Sequence, residues 1–210
     1  MGLHSRKDYT QGTLDVSDLN DGPWALLKRW VESAVSSDFP DPTAFTLSTS
    51  DAEGCPNGRI VLLREIRDDA LVFFTNYNSE KGRNITRHPM AGATFFWPYM
   101  ERQIRLKGRV GKISSQDSDA YFASRPRASQ IGAWSSDQSA SVTGRDALDD
   151  AFERRVKEFE GRDVPRPPHW GGFALCALEM EFWQGRASRM HDRIHCKLEG
   201  GGWTYTRLQP

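Results

Sequence analysis

The chain has 210 residues and carries 28 basic and 28 acidic side chains, so its formal net charge is zero. That length fits one domain, or one domain with arms. A protein that binds polyanions through general charge would carry a basic excess, so nucleic-acid and membrane-surface binding are disfavoured and any basic site must be local. Seven Trp and eleven Phe side chains suit a packed β-rich core or a stacking pocket.

The cysteines and histidines argue against a metal centre and a disulfide framework. Cys55, Cys176 and Cys196 are widely spaced and form no C-x-x-C pair, and the five histidines contain no H-E-x-x-H spacing. The first nine residues are polar rather than a signal core. The longest apolar run, residues 173–178, is far shorter than the roughly 18 residues of a membrane span. The composition therefore predicts a soluble protein of the reducing cytosol, without metal.

The first half of the chain predicts an arm, a helix and the first strands. Residues 1–20 are polar and predict a loose N-terminal arm before a domain over residues 21–210. Pro23 predicts a helix start, and the apolar spacing that follows predicts an amphipathic helix over 23–36. The period then becomes two. It predicts strands at 45–49, 59–64 (of buried type) and 71–75, a hairpin turn at 51–54 and a short helix at 79–87.

The second half predicts more strands and two further helices. A strand is predicted at 93–97 and another at 103–113, where apolar and basic residues alternate and predict one apolar and one cationic face. Ser114-x-x-Asp117 resembles a capping box and predicts a helix over 115–125. The remaining predictions are a long loop at 127–142, a helix at 146–160, and strands at 172–182, 194–198 and 202–208.

This order of elements predicts the fold class. At least seven strands follow one another in hairpin-like order, with three or four helices before or between them. Alternation of the parallel strand–helix–strand type is absent from the pattern. We therefore predict a mainly β fold, an antiparallel barrel with peripheral helices.

A dense group of functional side chains lies near the C-terminus. Trp183, Arg189, His191 and Arg193 place an aromatic face, two guanidinium groups and an imidazole in one short stretch. This combination suits a planar, anionic, redox-active ligand. A β-hairpin with a solvated charged turn is the alternative from these residues alone. Motifs for a Rossmann nucleotide site, a P-loop or an α/β-hydrolase do not occur.

Two further sets of residues have the chemistry of phosphate binding, because each combines positive charge with hydroxyl or amide groups. Taken singly, each residue is also compatible with a solvated surface position. Two sets predict two phosphates, one on a cofactor and one on a substrate. The first set is Arg59, Lys81, Gln138 and Ser139, and the second is Arg64, Tyr121, Arg125 and Ser129.

The run Phe182-Trp183-Gln184-Gly185, followed by Arg189-x-His191-Asp192-Arg193, resembles the C-terminal signature of the pyridoxine (pyridoxamine) 5′-phosphate oxidases. The resemblance extends over nearly the whole chain. Each piece is weak alone, but their order and spacing are strongly specific together. The other pieces include Arg6-x-x-Tyr9, Asp41-Pro42-Thr43-Ala44, Arg59-Ile60-Val61-Leu62-Leu63, Tyr121-Phe122-x-Ser124-Arg125-Pro126-Arg127 and Trp170-Gly171-Gly172.

This resemblance implies a split antiparallel β-barrel that binds FMN between the subunits of a homodimer, with a C-terminal dimerisation region. It implies oxidation of pyridoxamine or pyridoxine 5′-phosphate, a small phosphorylated pyridine, to pyridoxal 5′-phosphate, with O2 as acceptor and H2O2 as product. The residues that match the family's FMN contacts are Arg59, Ile60, Val61, Leu62, Leu63, Phe74, Thr75, Ser79, Lys81, Gln103, Gln138, Ser139, Trp183 and Arg193.

The implied substrate contacts form a second list. The phosphate-holding residues would orient the reacting carbon over the flavin, while Arg189 and His191, the implied catalytic residues, would pack beside the pyridine ring. Three of the matching residues lie over or beside the substrate in the family: Arg6, Tyr9 and Asp41. The full list is Arg6, Tyr9, Asp41, Arg64, Tyr121, Arg125, Ser129, Arg189 and His191.

Two departures from the family pattern bear on function. Arg64 stands where Lys is usual, so a forked donor replaces a compact one. Glu80 stands where Arg is usual, and unless it points outward FMN should bind more weakly. Two alternatives stay open: a related flavin oxidase with a changed substrate, such as those of phenazine biosynthesis, and a non-catalytic module that binds flavin or pyridoxal phosphate.

Overall fold

The computed structural model of the protein describes residues 8–210. Within them the chain forms nine strands and five α-helices, with short 3-10 turns at Val16–Leu19 and Ala187–Arg189. The helices are α1 (Pro23–Val35), α2 (Glu80–Arg87), α3 (Ser115–Ser124), α4 (Arg127–Ser135) and α5 (Arg145–Glu158). The strands are β1 (Ala44–Ser50), β2 (Pro56–Leu62), β3 (Glu65–Arg67), β4 (Ala70–Asn76), β5 (Met90–Trp97), β6 (Arg102–Lys112), β7 (Trp170–Gln184), β8 (Asp192–Glu199) and β9 (Gly202–Leu208).

All nine strands belong to one antiparallel sheet. Its main path runs β2-β1-β5-β6-β7-β4-β3, and β8 and β9 extend from β7. The sheet curls, because the link after β2 is hydrogen-bonded to strands from both halves of this path. Leu63 N–H donates to the C=O of Thr43, just before β1 (2.9 Å), and Arg64 N–H donates to the C=O of Val72 in β4 (2.9 Å). The prediction of a mainly β barrel with peripheral helices is confirmed.

Aromatic side chains fill the inside of the curled sheet. Phe45 lies 5.1 Å from Phe95 and 6.0 Å from Phe73, measured between ring centroids, and all three are fully buried. Helix α1 covers one opening, where the Trp30 ring meets the Phe182 ring edge-on at 5.4 Å. This confirms the predicted amphipathic helix. A smaller apolar cluster forms between α3, α4 and the start of β7 around Phe122 and Trp170.

Strand β6 has the two-faced character that its sequence predicts. Ile104 and Leu106 are buried in the core. On the opposite face, Arg105 pairs with Glu181 of β7, and Lys107 pairs with Glu179 at 2.8 Å. The sheet thus holds its outer face together by cross-strand ion pairs.

Two local predictions were wrong, and one strand was not predicted. The predicted loop at 127–142 begins with helix α4, because Pro126 provides a helix entry that the Ser- and Gly-rich composition obscured. The predicted buried strand at 59–64 is β2, which is mostly exposed because it lies at one end of the sheet path. Strand β3, three residues long, was not predicted, since so short a run has no readable period.

Among residues 8–210, no helix is both long enough and apolar enough to cross a membrane.

The β6–β7 pairing provides a test of the fold. A register shift occurs beside Gly108, and a Cβ atom there would lie 1.9 Å from the carbonyl oxygen of Cys176. We expect Gly108→Ala to lower the free energy of unfolding by about 1–3 kcal/mol, because backbone must move to admit the methyl group. Chemical denaturation would measure this. Gly111→Ala on the same strand is the control, since a Cβ there meets nothing within 4 Å; equal stability of the two variants would contradict the analysis.

Candidate active site

A cavity of about 700 Å³ opens between β2, β4 and helices α2 to α4. Strand β2 supplies outward side chains along one wall, and α3 and α4 form the opposite wall. Twelve of the residues that sequence analysis assigned to FMN or substrate line this one cavity. They are Arg59, Ile60, Val61, Leu62, Arg64, Phe74, Thr75, Lys81, Tyr121, Arg125, Ser129 and Gln138.

One end of the cavity carries Arg59 and Lys81, which we call the first cation group. Ser79 caps α2 and is fully buried. The first turn of the helix lies beside the cavity, since Lys81 lines it. Lys81 is only 7% exposed, and its Nζ lies 3.4 Å from Thr75 Oγ1. Burial lowers the pKa of Lys81, and the nearby charge of Arg59 lowers it further. An ammonium in this position is stabilised by an anion.

Arg59 lines the cavity and uses only part of its hydrogen-bonding capacity within the described residues. Its Nη1 donates to Thr49 Oγ1 at 2.7 Å and to the carbonyls of Leu47 and Asn57. Its Nη2 is buried and has no hydrogen-bond partner among the residues that the structure describes. A buried donor of this kind fits a phosphate, which offers several acceptor oxygens.

The other end of the cavity carries Arg64 and Arg125, which we call the second cation group. Arg64 lies beyond Arg59 along β2 and the link that follows it, roughly 16 Å away if the chain is extended. Arg125 ends α3, and its guanidinium lies 4.5 Å from the centre of the Trp170 ring. Its Nη1 is buried and, within residues 8–210, has no hydrogen-bond partner. Burial lowers the pKa of Arg125, the Tyr121 side chain partly offsets this, and the Arg64 charge lowers it further. Two like charges that repel each other, of which Arg125 is half-buried and Arg64 is exposed, also fit an anion.

Aromatic rings stack beside the second cation group. Tyr121 stacks on Phe74 with ring centroids 3.7 Å apart and planes 13° from parallel. Phe74 stacks in turn near Trp170, at 5.5 Å. Ser129 lies in the first turn of α4, the helix that sequence analysis missed. Trp170 itself lines the cavity and was not assigned a role, although the motif Trp170-Gly171-Gly172 was part of the resemblance.

A second set of predicted residues gathers elsewhere, around Tyr9, Trp183 and His191, which we call the signature cluster. The Trp183 and His191 rings lie 4.8 Å apart, and the Tyr9 ring lies 5.6 Å from each of them. Gly185 makes room for Tyr9, because a Cβ there would be 2.7 Å from Tyr9 Cγ. Gln103 of β6 lies opposite Trp183 in the sheet register.

His191 is held in a neutral form. Its Nδ1 accepts the backbone N–H of Arg186 at 3.1 Å. Burial lowers the pKa of His191, and the positive charge of Arg189 lowers it further. Arg189 is exposed and has a left-handed backbone, with φ of 62°. The 3-10 turn between β7 and β8 therefore places a fixed charge beside a neutral imidazole.

Arg193 is engaged by a carboxylate within the chain. Its Nε and Nη2 donate to the two oxygens of Glu181 at 3.0 and 3.2 Å. Burial would raise the pKa of Glu181, but hydrogen bonds from Arg193 and Arg105 outweigh it, so that the pKa is lowered. The guanidinium of Arg193 thus has a fixed position on the sheet face.

The signature cluster and the cavity do not meet within one chain. None of Gln103, Trp183, Arg189, His191 and Arg193 lines the cavity. Trp170 and Trp183 lie near opposite ends of the 15-residue strand β7, which at roughly 3.3 Å per residue places them roughly 40 Å apart along the strand.

The remaining predicted residues have other positions. Leu63 and Ser79 are buried beside the cavity rather than in its lining. Ser139 is exposed, with φ of 73°, and Asp41 is exposed in the turn before β1, with φ of 49°. Arg6 lies outside the described residues.

Glu80 is held outside the cavity. Its Oε1 accepts a hydrogen bond from Asn57 Nδ2 at 2.5 Å, and Glu80 is not among the residues that line the cavity. Its charge acts on the pKa values of both Arg59 and Lys81, raising each against the larger effect of burial. The carboxylate therefore points outward, yet it partly offsets the positive charge of the first cation group.

The chain is similar in sequence to known proteins over nearly its whole length. A family model described as pyridoxamine 5′-phosphate oxidase matches residues 31–157, and one described as the pyridoxine 5′-phosphate oxidase C-terminal dimerisation region matches residues 170–210. Pyridoxine/pyridoxamine 5′-phosphate oxidases of Synechocystis sp. and Paraburkholderia phymatum are each 48% identical to the chain. The matches cover 98% of this chain and 96% and 97% of those proteins.

Solved structures share the fold. PhzG from Burkholderia lata, in complex with tetrahydrophenazine-1-carboxylic acid, matches with a TM-score of 0.86 at 29% identity, over 95% of this chain and 100% of that one. A pyridoxamine 5′-phosphate oxidase-related, FMN binding protein from Nostoc punctiforme matches with a TM-score of 0.71 at 19% identity, over 90% and 98% of the two chains. The predicted split barrel is confirmed, and the chain belongs to the pyridoxine/pyridoxamine 5′-phosphate oxidase family.

Proposed function

We propose that the protein is an FMN-dependent oxidase that converts pyridoxamine 5′-phosphate and pyridoxine 5′-phosphate to pyridoxal 5′-phosphate, with O2 as electron acceptor and H2O2 as product. The observation that carries the proposal is one cavity with a cation group at each end, each with a buried guanidinium nitrogen that lacks a partner among the described residues. Two separated anion sites fit a phosphorylated cofactor together with a phosphorylated substrate. The names of relatives that match nearly the full chain support the same activity.

The first cation group fits the FMN phosphate. Arg59 Nη2 and Lys81 Nζ would neutralise it, while Thr75 and Gln138, which hydrogen-bond each other at 3.2 Å, would complete its polar shell. When bound, FMN supplies the redox chemistry by accepting a hydride from the substrate and passing the electrons to dioxygen. The protein's part is to bind and orient FMN and the substrate and to exclude water.

The second cation group fits the substrate phosphate. Arg125 and Arg64 supply charge, and Tyr121 and Ser129 supply hydroxyl groups on the same wall. The stacked rings of Tyr121, Phe74 and Trp170 hold this wall rigid. Anchoring the phosphate at one end fixes where the reacting substituent lies, which is the main way positioning contributes to catalysis.

We infer that a second copy of the chain completes the site. Gln103, Trp183 and Arg193, which match FMN contacts, lie on a sheet face that the cavity of the same chain does not reach. A homodimer could bring this face of one subunit to the cavity of the other. The description of the family model over residues 170–210, a dimerisation region, supports this arrangement, since those residues include β7 to β9.

His191 and Arg189 would act beside the substrate's pyridine ring. Because Nδ1 of His191 accepts a backbone N–H, the neutral ring carries its proton on Nε2. That proton is available to donate a hydrogen bond to a substrate atom. Burial lowers the pKa of His191 and the charge of Arg189 lowers it further, which favours the neutral ring; Arg189 also adds a fixed positive charge next to an anionic substrate.

A second candidate is an oxidase of the same fold with a changed substrate. The likeness to PhzG, whose structure holds a phenazine carboxylic acid, favours it. Such a ligand has no phosphate. It would therefore leave the buried Nη1 of Arg125, in the second cation group, without a phosphate to bind. We therefore favour the phosphorylated substrate. We also propose a cytoplasmic location, supported by three free cysteines that form no disulfide.

Oxygen consumption by the purified protein with added FMN tests the proposed function. Pyridoxamine 5′-phosphate and pyridoxine 5′-phosphate are offered separately, with the phosphate-free amine and alcohol as controls. We expect turnover to pyridoxal 5′-phosphate with the phosphorylated compounds. An FMN-loaded protein without turnover would favour a changed substrate, and a protein that binds flavin and generates no peroxide with any amine or alcohol would favour a binding module.

A pair of substitutions separates the two cation groups. We expect Arg125→Ala to raise KM for pyridoxamine 5′-phosphate by about 10- to 100-fold with FMN affinity unchanged, since a charge-assisted hydrogen bond is worth about 1.5–3 kcal/mol. Arg59→Ala should weaken FMN binding by a similar factor. Steady-state kinetics and flavin fluorescence titration measure the two effects. Arg109→Ala, an exposed arginine on β6, is the control; identical behaviour of the two test variants would refute the assignment.

The protonation state of His191 gives a pH-dependent prediction. Its pKa should lie below 6.5, so the neutral ring and its bond from Arg186 N–H persist above 6.5 and are lost as the pH falls through the depressed value. Removing the charge in Arg189→Gln should move the pKa back toward 6.5. NMR titration of the ring carbon signals measures both. A pKa above 6.5 in the unsubstituted protein would contradict the analysis.

A further inference from the structure

The described part of the N-terminal arm lies across the C-terminal signature. Tyr9 contacts Trp183 and His191, and Gly12 lies against the Gln184 side chain, because a Cβ on Gly12 would be 3.2 Å from Gln184 Oε1. We call residues 9–15 the arm segment. Near its end lies Leu14, which is 2% exposed and belongs to the main core. The arm segment therefore forms one wall of the signature cluster.

Backbone hydrogen bonds to carboxylates hold the arm segment in place. Gln11 N–H donates to Glu101 Oε2 at 2.9 Å, and Leu14 N–H donates to Asp192 Oδ2 at 3.1 Å. Both acceptors belong to the sheet or its turns, 90 and 178 residues away along the chain. Such bonds depend on the position of the carboxylate and not on the arm's own side chains.

Asp192 is the centre of this attachment. Its side chain is 18% exposed and accepts from three donors on three different segments: Leu14 N, Arg186 Nη1 at 3.0 Å and Arg207 Nη1 at 2.9 Å. Arg207 of β9 extends the network, because its Nη2 donates to Asp15 Oδ2 at 2.7 Å and to the Leu14 carbonyl at 3.3 Å. Arg207 thus binds the arm segment through Nη2 and Asp192 through Nη1.

We propose that Asp192 is a positioning residue that, directly at the Leu14 amide and together with Arg207 and Asp15, fastens the arm segment over the signature and so holds Tyr9 against His191 and Trp183. The inference rests on the proposed function. An arm fastened before any ligand arrives keeps this aromatic wall formed, so less ordering is needed when the substrate binds. Loss of the fastening should therefore weaken substrate binding and leave FMN affinity nearly unchanged.

The peripheral part of the network allows a test that does not endanger folding. In Asp15→Asn and Arg207→Gln, we expect hydrogen–deuterium exchange of the Leu14 amide in the FMN-loaded, substrate-free protein to rise about three- to tenfold. KM for pyridoxamine 5′-phosphate should rise by a similar factor, with kcat and FMN affinity within about twofold. The double variant should resemble Arg207→Gln, because that substitution already removes the bond to Asp15 together with the bonds to Asp192 and to the Leu14 carbonyl. Arg207→Lys keeps the positive charge, so its increases in Leu14 amide exchange and in KM should be smaller than those of Arg207→Gln.

Matched controls and readouts separate the possible failures. Arg145→Gln and Asp149→Asn remove an exposed Arg–Asp pair of similar geometry on α5 and should change neither readout. Faster exchange with unchanged KM would show a purely structural attachment and overturn the positioning role. Unchanged exchange in both variants would overturn the fastening itself. If the unsubstituted protein shows no turnover, the proposed function fails, while the exchange data still decide whether the fastening exists.

Discussion

The pairing of β7 with β6 and β4 is the constraint on which the rest of the structure depends. Strand β7 carries Trp170 at one end, in the cavity, and Trp183 at the other, in the signature cluster. One extended strand cannot bring its own ends together, so the two halves of the predicted site are kept apart within a chain. Gly108 permits the close approach and register shift that let β6 follow β7 over this length.

The zero net charge is distributed unevenly, and the arginines differ in their carboxylate partners. On the outer sheet face, Arg105 and Arg193 share the buried carboxylate of Glu181. In the cavity, Arg59 and Arg125 are partly desolvated, and each has a buried nitrogen without a partner among residues 8–210. A partly buried cation is stabilised by an anion. The cavity therefore holds cations whose charge the carboxylates of the described residues offset only in part, as Glu80 does for Arg59, and such cations fit an anion.

Local sequence signals predicted elements where a period or a cap was present. The Ser114 cap of α3 is confirmed by its hydrogen bond from Asp117 N–H at 3.0 Å, and the apolar side of α1 is buried as its spacing predicts. Prediction failed at α4, where no apolar period exists, and at β2, where Ile60, Val61 and Leu62 all line the cavity and Val61 also packs against the core. A run of apolar residues cannot indicate which kind of interior it faces.

The sequence alone determined the family and the order of most strands and predicted two phosphate-binding sets, because these depend on residue identity and spacing. Only the tertiary structure decided which residues converge. It brought Arg59, Lys81, Arg64 and Arg125 into one cavity, turned Glu80 outward onto Asn57, and placed Asp192 between the arm, Arg186 and Arg207. Such contacts join residues far apart in the chain. Sheet register and curl set them, and neither leaves a local signal in the sequence.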